Sequence, residues 1–130
     1  MAPELKKILC VEDEQDIRTV AKLALESVGN FSVAMCGSGD EALGELPNYN
    51  PDIILLDVMM PGMDGPDTLK AIRRLDGYEN VPIIFMTAKV MEKDRDHYRS
   101  LGAAGVIAKP FDPMNLADQV RKIWGEYHGG

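Results

Sequence analysis

Acidic side chains follow two apolar runs of this chain, and a lysine follows a third. The runs cover residues 8–11, 53–56 and 104–108, and they lead into Glu12 and Asp13, into Asp57, and into Lys109. Carboxylates that meet at one place repel one another unless a cation lies among them. A ligand set made only of oxygen selects a hard ion such as Mg²⁺. These residue types therefore indicate a site for a metal ion and a phosphate group.

The same residues suggest a division of roles. Mg²⁺ usually takes only one or two carboxylates, which leaves one of the three free for other work. Asp57 is the candidate nucleophile, because a carboxylate can form an aspartyl-phosphate intermediate. Lys109 offers a point charge to a phosphoryl oxygen. A fourth apolar run, residues 81–86, leads into Thr87 and Ala88, whose hydroxyl and backbone N–H can donate to the other oxygens.

The four apolar runs are the elements that position these side chains. Continuous apolar runs of this length are typical of strands in a parallel sheet that is covered on both faces. Ligands of such sheets bind beyond the carboxyl ends of the strands. We therefore expect the polar residues to meet at one edge of a sheet.

Segments with helical periodicity lie between these runs. The first carries apolar residues from Ile17 to Val28 and stops at Gly29 and Asn30, and residues 31–35 then predict a second strand. Ser38 with Glu41 has the spacing of a capping box, which predicts a short helix that Pro47 ends. A third helix is predicted to begin near residues 65–66 and a fifth at residues 112–113, since proline suits a first helical turn.

The predicted fourth helix, residues 90–101, differs from the others. Its only strong apolar anchors are Met91, Tyr98 and Leu101, and charged residues crowd the rest. Weak burial marks it as a candidate mobile element. Five alternations of strand and helix predict an α/β fold, a doubly wound five-stranded parallel sheet flanked by five helices.

Length and charge restrict the possible functions. A chain of 130 residues with 45% hydrophobic content predicts one domain, residues 1–130. The 14 basic residues against 21 acidic ones give a net charge of −7, which argues against direct binding to nucleic acid or to an anionic membrane. Cys10 and Cys36 fall inside apolar runs, which favours buried thiols in a reducing cytoplasm. We find neither a signal peptide nor a membrane span, and expect a soluble, cytoplasmic protein.

Taken together, these motifs resemble the receiver domain of bacterial two-component response regulators. The resemblance rests on Glu12-Asp13, on residues 56–65, on Thr87-Ala88 and on residues 109–111, and it runs from about residue 7 to residue 127. It implies a flavodoxin-like, CheY-like fold over the whole chain. It also implies that a sensor histidine kinase or a histidine phosphotransfer protein donates a phosphoryl group to Asp57, and that an unknown downstream protein responds.

The resemblance also implies individual roles. Glu12, Asp13, Asp57 and the backbone carbonyl of Met59 would hold Mg²⁺, Thr87 would move toward the phosphoryl group, and Lys109 would contact it. A cis peptide bond is implied between Lys109 and Pro110. Switching would pass through helix four, strand five and helix five. Such a protein is a signalling switch that catalyses only its own phosphorylation and dephosphorylation.

Two positions depart from the commonest pattern of the family. The first acidic position is Glu12, and its extra methylene favours a contact to the metal through water. Val106 stands where many receivers have tyrosine or phenylalanine, so the inward swing of an aromatic ring is absent from this chain.

Other interpretations apply to each motif alone. Glu12-Asp13 suits an acidic first turn of a helix, Asp57 with Pro61-Gly62 suits a turn, Lys109-Pro110 suits a strand end, and Thr87 suits a local cap. Aspartate-nucleophile phosphatases of the haloacid-dehalogenase type also end an apolar strand in aspartate. However, they need a second aspartate two residues later, where this chain has Met59. Neither phosphate-loop nor dinucleotide-binding glycine motifs occur.

Overall fold

The computed structural model describes residues 3–129, which form one parallel sheet covered by helices on both faces. The strands are β1 (Lys7–Val11), β2 (Ser32–Cys36), β3 (Ile53–Asp57), β4 (Ile83–Thr87) and β5 (Gly105–Ala108). They are all parallel, in the order β2-β1-β3-β4-β5. The predicted doubly wound α/β fold is confirmed.

The helices are α1 (Gln15–Leu23), α2 (Gly39–Tyr49), α3 (Gly65–Arg73), α4 (Glu92–Ser100) and α5 (Leu116–Tyr127). A π-helical segment, Ala24–Val28, continues α1 before the chain turns into β2. The predicted cap of α2 is present, because Ser38 Oγ accepts from the N–H of Glu41 at 3.1 Å. Pro66 lies in the first turn of α3, as predicted, and Asp64 caps that helix. Within residues 3–129, none of the helices has both the length and the apolar character that a membrane crossing requires.

Two apolar layers flank the sheet, because alternate residues of each strand point to opposite faces. Along β1, Ile8 and Cys10 face the layer under α1 and α5, whereas Leu9 and Val11 face the layer under α2, α3 and α4. Every residue of β3 and β4 is buried. This explains why the central strands are continuous apolar runs in the sequence.

Two sequence predictions about helix ends are wrong. Helix α2 does not end at Pro47 but runs on to Tyr49, and Asn50 caps it in the left-handed conformation with an N–H bond to the Leu46 carbonyl. Pro47 removes one backbone hydrogen bond, and it is tolerated because it is exposed in the last turn and only two helical residues follow it. Helix α5 begins at Leu116 rather than at residues 112–113, which form a turn that leads into it.

The burial of individual anchors also differs in part from prediction. Met91 is 66% exposed and does not anchor α4, whereas Tyr98 is the buried residue of that helix. In the first helix Val20 and Val28 are exposed, and Leu25 in the π-helical segment is buried instead. Both cysteines are free and buried, as predicted, and burial raises the pKa of the Cys36 thiol to about 12.

Candidate functional site

The carboxyl edge of the sheet collects the polar residues that follow four of its strands. Glu12 and Asp13 come directly after β1, Asp57 is the last residue of β3, and Lys109 directly follows β5. One ligand oxygen from each of Glu12, Asp13 and Asp57 can be chosen so that all lie within 4.8 Å of one another. The parallel strands therefore bring these three carboxylates into one cluster, as the sequence predicts.

The ammonium group of Lys109 lies between two of the carboxylates. Its Nζ is 2.6 Å from Glu12 Oε1 and 3.3 Å from Asp57 Oδ1. The Glu12 side chain is fully buried, and its other oxygen accepts from the N–H of Glu14 at 3.1 Å. In this arrangement Lys109 supplies the positive charge that the buried carboxylates require.

The crowding of charges alters the acidity of Asp57. Burial and the neighbouring carboxylate of Glu12 raise the pKa of Asp57 from 3.8 to about 7, against the opposing effect of Lys109. Burial alone would lower the pKa of Lys109, but its hydrogen bond to Glu12 and the charge of Asp57 raise it. Besides burial, the neighbouring carboxylates contribute to both shifts, and a cation would offset their negative charge.

Thr87 and Ala88 lie at the end of β4, beside β3. Thr87 is 3% exposed, and its Oγ1 accepts from the N–H of Lys89 at 3.1 Å, so the hydroxyl is held by its own loop. Ala88 is exposed. On the other side, the N–H of Met59 donates to Asp57 Oδ1 at 3.3 Å, and the Met59 side chain points outward with 72% exposure.

Two further residues support the site, although the sequence pattern did not predict this role for either. Arg18 on α1 donates from Nη1 to the carbonyls of Glu12 (2.7 Å) and Asp13 (3.0 Å), which fixes the loop that carries both carboxylates. Gly65 lies so close to β3 that a Cβ atom there would be 2.7 Å from the carbonyl oxygen of Asp57. Only a glycine permits α3 to start this close to the end of the strand.

The predicted cis peptide bond between Lys109 and Pro110 is present. Val106, the residue at the position of the missing aromatic ring, is buried in β5. His97 and His128 both lie away from the carboxylates and are exposed.

A parallel α/β sheet that carries an acidic cluster and a lysine at its carboxyl edge defines the receiver class of signalling domains. The sequence model of the response regulator receiver domain matches residues 8–121. The chain therefore belongs to the response regulator receiver domain family, as the sequence resemblance indicates. Within this family it is a signalling domain rather than a classical enzyme.

Curated relatives support this assignment. The chain is 38% identical over 124 residues to the transcriptional regulatory protein CpxR of Escherichia coli K12, a match that covers 95% of this chain and 51% of CpxR. It is 38% identical over 118 residues to the alkaline phosphatase synthesis transcriptional regulatory protein PhoP of Bacillus subtilis, with 91% of this chain and 48% of PhoP covered. The chain thus spans about half the length of these relatives.

Solved structures show the same fold. The chemotaxis response regulator CheY4 of Vibrio cholerae superposes with a TM-score of 0.84 at 29% identity, covering 92% of this chain and 99% of CheY4. A putative response regulator from Chloroflexus aurantiacus gives a TM-score of 0.83, also at 29% identity, with coverages of 94% and 99%.

Proposed function

We propose that this chain is a phosphorylatable receiver, in which Asp57 accepts a phosphoryl group from a phosphohistidine. The donor would be a sensor histidine kinase or a histidine phosphotransfer protein. The observation that carries the proposal is the cluster of Glu12, Asp13 and Asp57, whose ligand oxygens lie within 4.8 Å of one another beside the Lys109 ammonium.

The donor set fits Mg²⁺. It consists of carboxylate oxygens without a histidine or cysteine ligand, and burial together with the Glu12 carboxylate raises the pKa of Asp57, an effect that a bound cation would oppose. Asp13 and Asp57 would hold the ion together with the carbonyl of Met59, and Glu12 would contact it through water. When bound, the ion neutralises charge on the phosphoryl oxygens and on the carboxylates.

The residues of the chain then perform an in-line transfer. An Asp57 carboxylate oxygen attacks the phosphorus of the donor, the P–N bond to the imidazole breaks, and the imidazole leaves with the bonding pair. Lys109 places its ammonium against a phosphoryl oxygen, and the Thr87 hydroxyl and the Ala88 N–H donate to the others. Later attack of water on the acyl phosphate restores Asp57 and ends the signal.

Phosphorylation would be communicated through helix α4, strand β5 and helix α5 to a downstream protein. The route begins at Thr87, which would exchange its bond with Lys89 for one with the phosphoryl group. Because Val106 is small and β-branched, it cannot exchange a large ring between buried and exposed positions. The loop after β4 and helix α4 would therefore carry the change.

Residues 1–130 would act as one receiver domain with protein partners, and without direct contact to nucleic acid or insertion into a membrane. The net charge of −7 supports this choice of partners. The two free, buried thiols are consistent with a reducing cytoplasm.

The experiment that tests this proposal is phosphorylation with acetyl phosphate in Mg²⁺, followed by intact-mass analysis. We expect one phosphate on the wild-type protein, none on Asp57→Asn, and undiminished labelling of Asp76→Asn, which removes an exposed carboxylate elsewhere. Phosphate recovered on another residue of the wild type would refute the assignment. Sustained turnover of p-nitrophenyl phosphate would instead favour the aspartate-nucleophile phosphatase, the alternative function.

A further inference from the structure

A groove over β5, between α4 and α5, carries positive charge on an otherwise acidic protein. It encloses about 310 Å³, and its lining includes Arg95 and Arg99 from α4, Val106 from β5, and Lys122 and Glu126 from α5. Three cations thus face one carboxylate, although the chain as a whole has a net charge of −7.

Arg95 connects this groove to the loop after β4. Its Nε–H donates to the carbonyl of Val90 at 2.9 Å, and its Nη1 donates to the carbonyl of Val106 at 3.4 Å. The side chain is only partly exposed, because one guanidinium group bridges the loop and β5. A planar guanidinium can make both bonds at once, whereas an ammonium group cannot reproduce this fork.

The loop that holds Arg95 also holds the hydroxyl of Thr87. The N–H of Lys89 donates to Thr87 Oγ1 at 3.1 Å, and Val90 is the next residue in the chain. If Thr87 rotates its hydroxyl toward a phosphoryl group on Asp57, the Lys89 N–H loses this acceptor, and the loop is then less constrained in its present conformation. A change in this loop would also move the Val90 carbonyl, which accepts one of the two bonds from Arg95.

We propose that Arg95 couples phosphorylation to the groove, and that the groove binds an acidic segment of the downstream protein. In the unphosphorylated state the bonds to the carbonyls of Val90 and Val106 restrain the guanidinium of Arg95. Movement of the loop releases it, and Arg95 then joins Arg99 and Lys122 in binding carboxylates. This inference rests on the proposed phosphorylation of Asp57 and specifies the chemistry of the partner.

The first test follows Arg95 itself by nuclear magnetic resonance. The Nε–Hε signal of Arg95, assigned by its loss in Arg95→Gln, is compared before and after addition of beryllium fluoride and Mg²⁺. We expect this signal to shift and to exchange faster with solvent, because the bond to Val90 is broken. Fluorine resonance reports in the same sample whether the adduct has formed.

The second test measures the ligand chemistry by fluorescence anisotropy. The probe is a fluorescein-labelled peptide of four Glu-Ala-Leu repeats, and its control has glutamine in place of glutamate. We expect the acidic peptide to bind the beryllium fluoride form about tenfold more tightly than the free form, and the neutral peptide to bind neither.

Variants separate the charge of Arg95 from its bridging role. Arg95→Gln should lose the tight binding, whereas Arg95→Lys should bind the acidic peptide equally with and without beryllium fluoride, since it keeps the charge but loses the fork. Lys70→Gln removes an exposed cation from α3 and should behave like the wild type.

The experiments test separately the phosphorylation of Asp57, the coupling through Arg95 and the binding of an acidic partner segment. If beryllium fluoride forms no adduct, the proposed phosphorylation of Asp57 fails, and the coupling fails with it. If the adduct forms while the Arg95 signal stays unchanged, the coupling alone is overturned. If the adduct forms but the acidic peptide does not bind the wild type, or binds Arg95→Gln equally well, an acidic partner segment is ruled out.

Discussion

At the scale of single residues, Lys109 and Glu12 form the contact that organises the acidic cluster. The two groups are 2.6 Å apart, and Glu12 is fully buried. A buried carboxylate of this kind needs a partner, because leaving it uncompensated is costly. The longer side chain of Glu12 reaches the lysine, and in the proposed function Asp13 and Asp57 would hold the metal ion. Glu12 thus keeps the ammonium beside Asp57, where the phosphoryl group would arrive.

The raised pKa of Asp57 leads to a prediction about metal-free protein. An acid whose pKa rises on folding binds its proton more tightly in the folded state, so stability falls as the pH rises from about 4 toward 7. Above pH 7 the ionised Asp57 destabilises the fold. We therefore expect Asp57→Asn in EDTA at pH 8 to unfold at a higher temperature than the wild type. The gain should be at least about 1 kcal/mol, or about 3–5 °C for a domain of this size.

The pH dependence of this gain is the critical measurement. Thermal unfolding followed by circular dichroism should show the difference between Asp57→Asn and the wild type shrinking as the pH falls from 8 to 4, since the wild-type carboxylate is then protonated. Asp76→Asn serves as the control for a surface charge. A gain of equal size at pH 4 and pH 8 would contradict an origin in the ionised carboxylate.

At the scale of secondary structure elements, α4 differs from the other helices. Only Tyr98 of this helix is buried, and its ring packs edge-on against Phe85 of β4 with the ring centroids 5.3 Å apart. The other residues of α4 are polar or charged. A helix with so few buried contacts has a low free energy of local opening. Since it lies between Thr87 and β5 in the chain, we expect a change at the site to displace α4 more easily than the other helices.

We expect beryllium fluoride with Mg²⁺ to change amide hydrogen exchange most strongly in residues 87–101. The reason is that the loop after β4 moves with Thr87, while α4 has one buried anchor to resist it. Helix α2, which lies on the same face of the sheet, should exchange at an unchanged rate and serves as the internal reference. A change confined to residues 57–65, with α4 unaffected, would refute this route.

At the scale of the whole molecule, one central sheet joins the two apolar layers. Strands β3 and β4 contribute to both layers, so neither layer can unfold without exposing the other. The three carboxylates and Lys109 come from β1, β3 and β5 and the segments that follow them. A ligand at the carboxyl edge therefore contacts strands from across the sheet, and its binding energy adds to the stability of the entire fold.

Mg²⁺ should consequently stabilise the whole domain against unfolding. With the ion at a hundredfold excess over its dissociation constant, mass action adds about 2.7 kcal/mol. We expect the unfolding temperature to rise in a single transition as Mg²⁺ is added at constant ionic strength. Asp13→Asn should need a higher Mg²⁺ concentration for the same rise, because it has lost a charged ligand. Equal stabilisation of both proteins, or an equal effect of Na⁺, would contradict a site formed by these carboxylates.

The strands, their parallel arrangement and the edge at which the polar residues meet could all be predicted from the amino-acid sequence. Apolar runs that end in charged residues predict these strands without knowledge of the fold, because a buried parallel strand must be apolar and its carboxyl end must reach solvent. Tertiary structure decided which groups are partners: that Lys109 lies against Glu12, that Arg18 holds the loop of Glu12 and Asp13, and that Arg95 bridges Val90 and Val106.

Tertiary structure also decided at which residues the local rules for helix ends and for burial fail. Pro47 remains inside α2, and Met91 is exposed although its type predicts an anchor. Local patterns report the tendency of a residue to be buried or to end a helix, and they carry no information about which distant segment packs beside it. Long-range contacts of this kind form only when the chain has folded. These contacts pair Glu12 with Lys109 and place Arg95 in the groove. Neither arrangement can be predicted from the spacing of residues in the sequence.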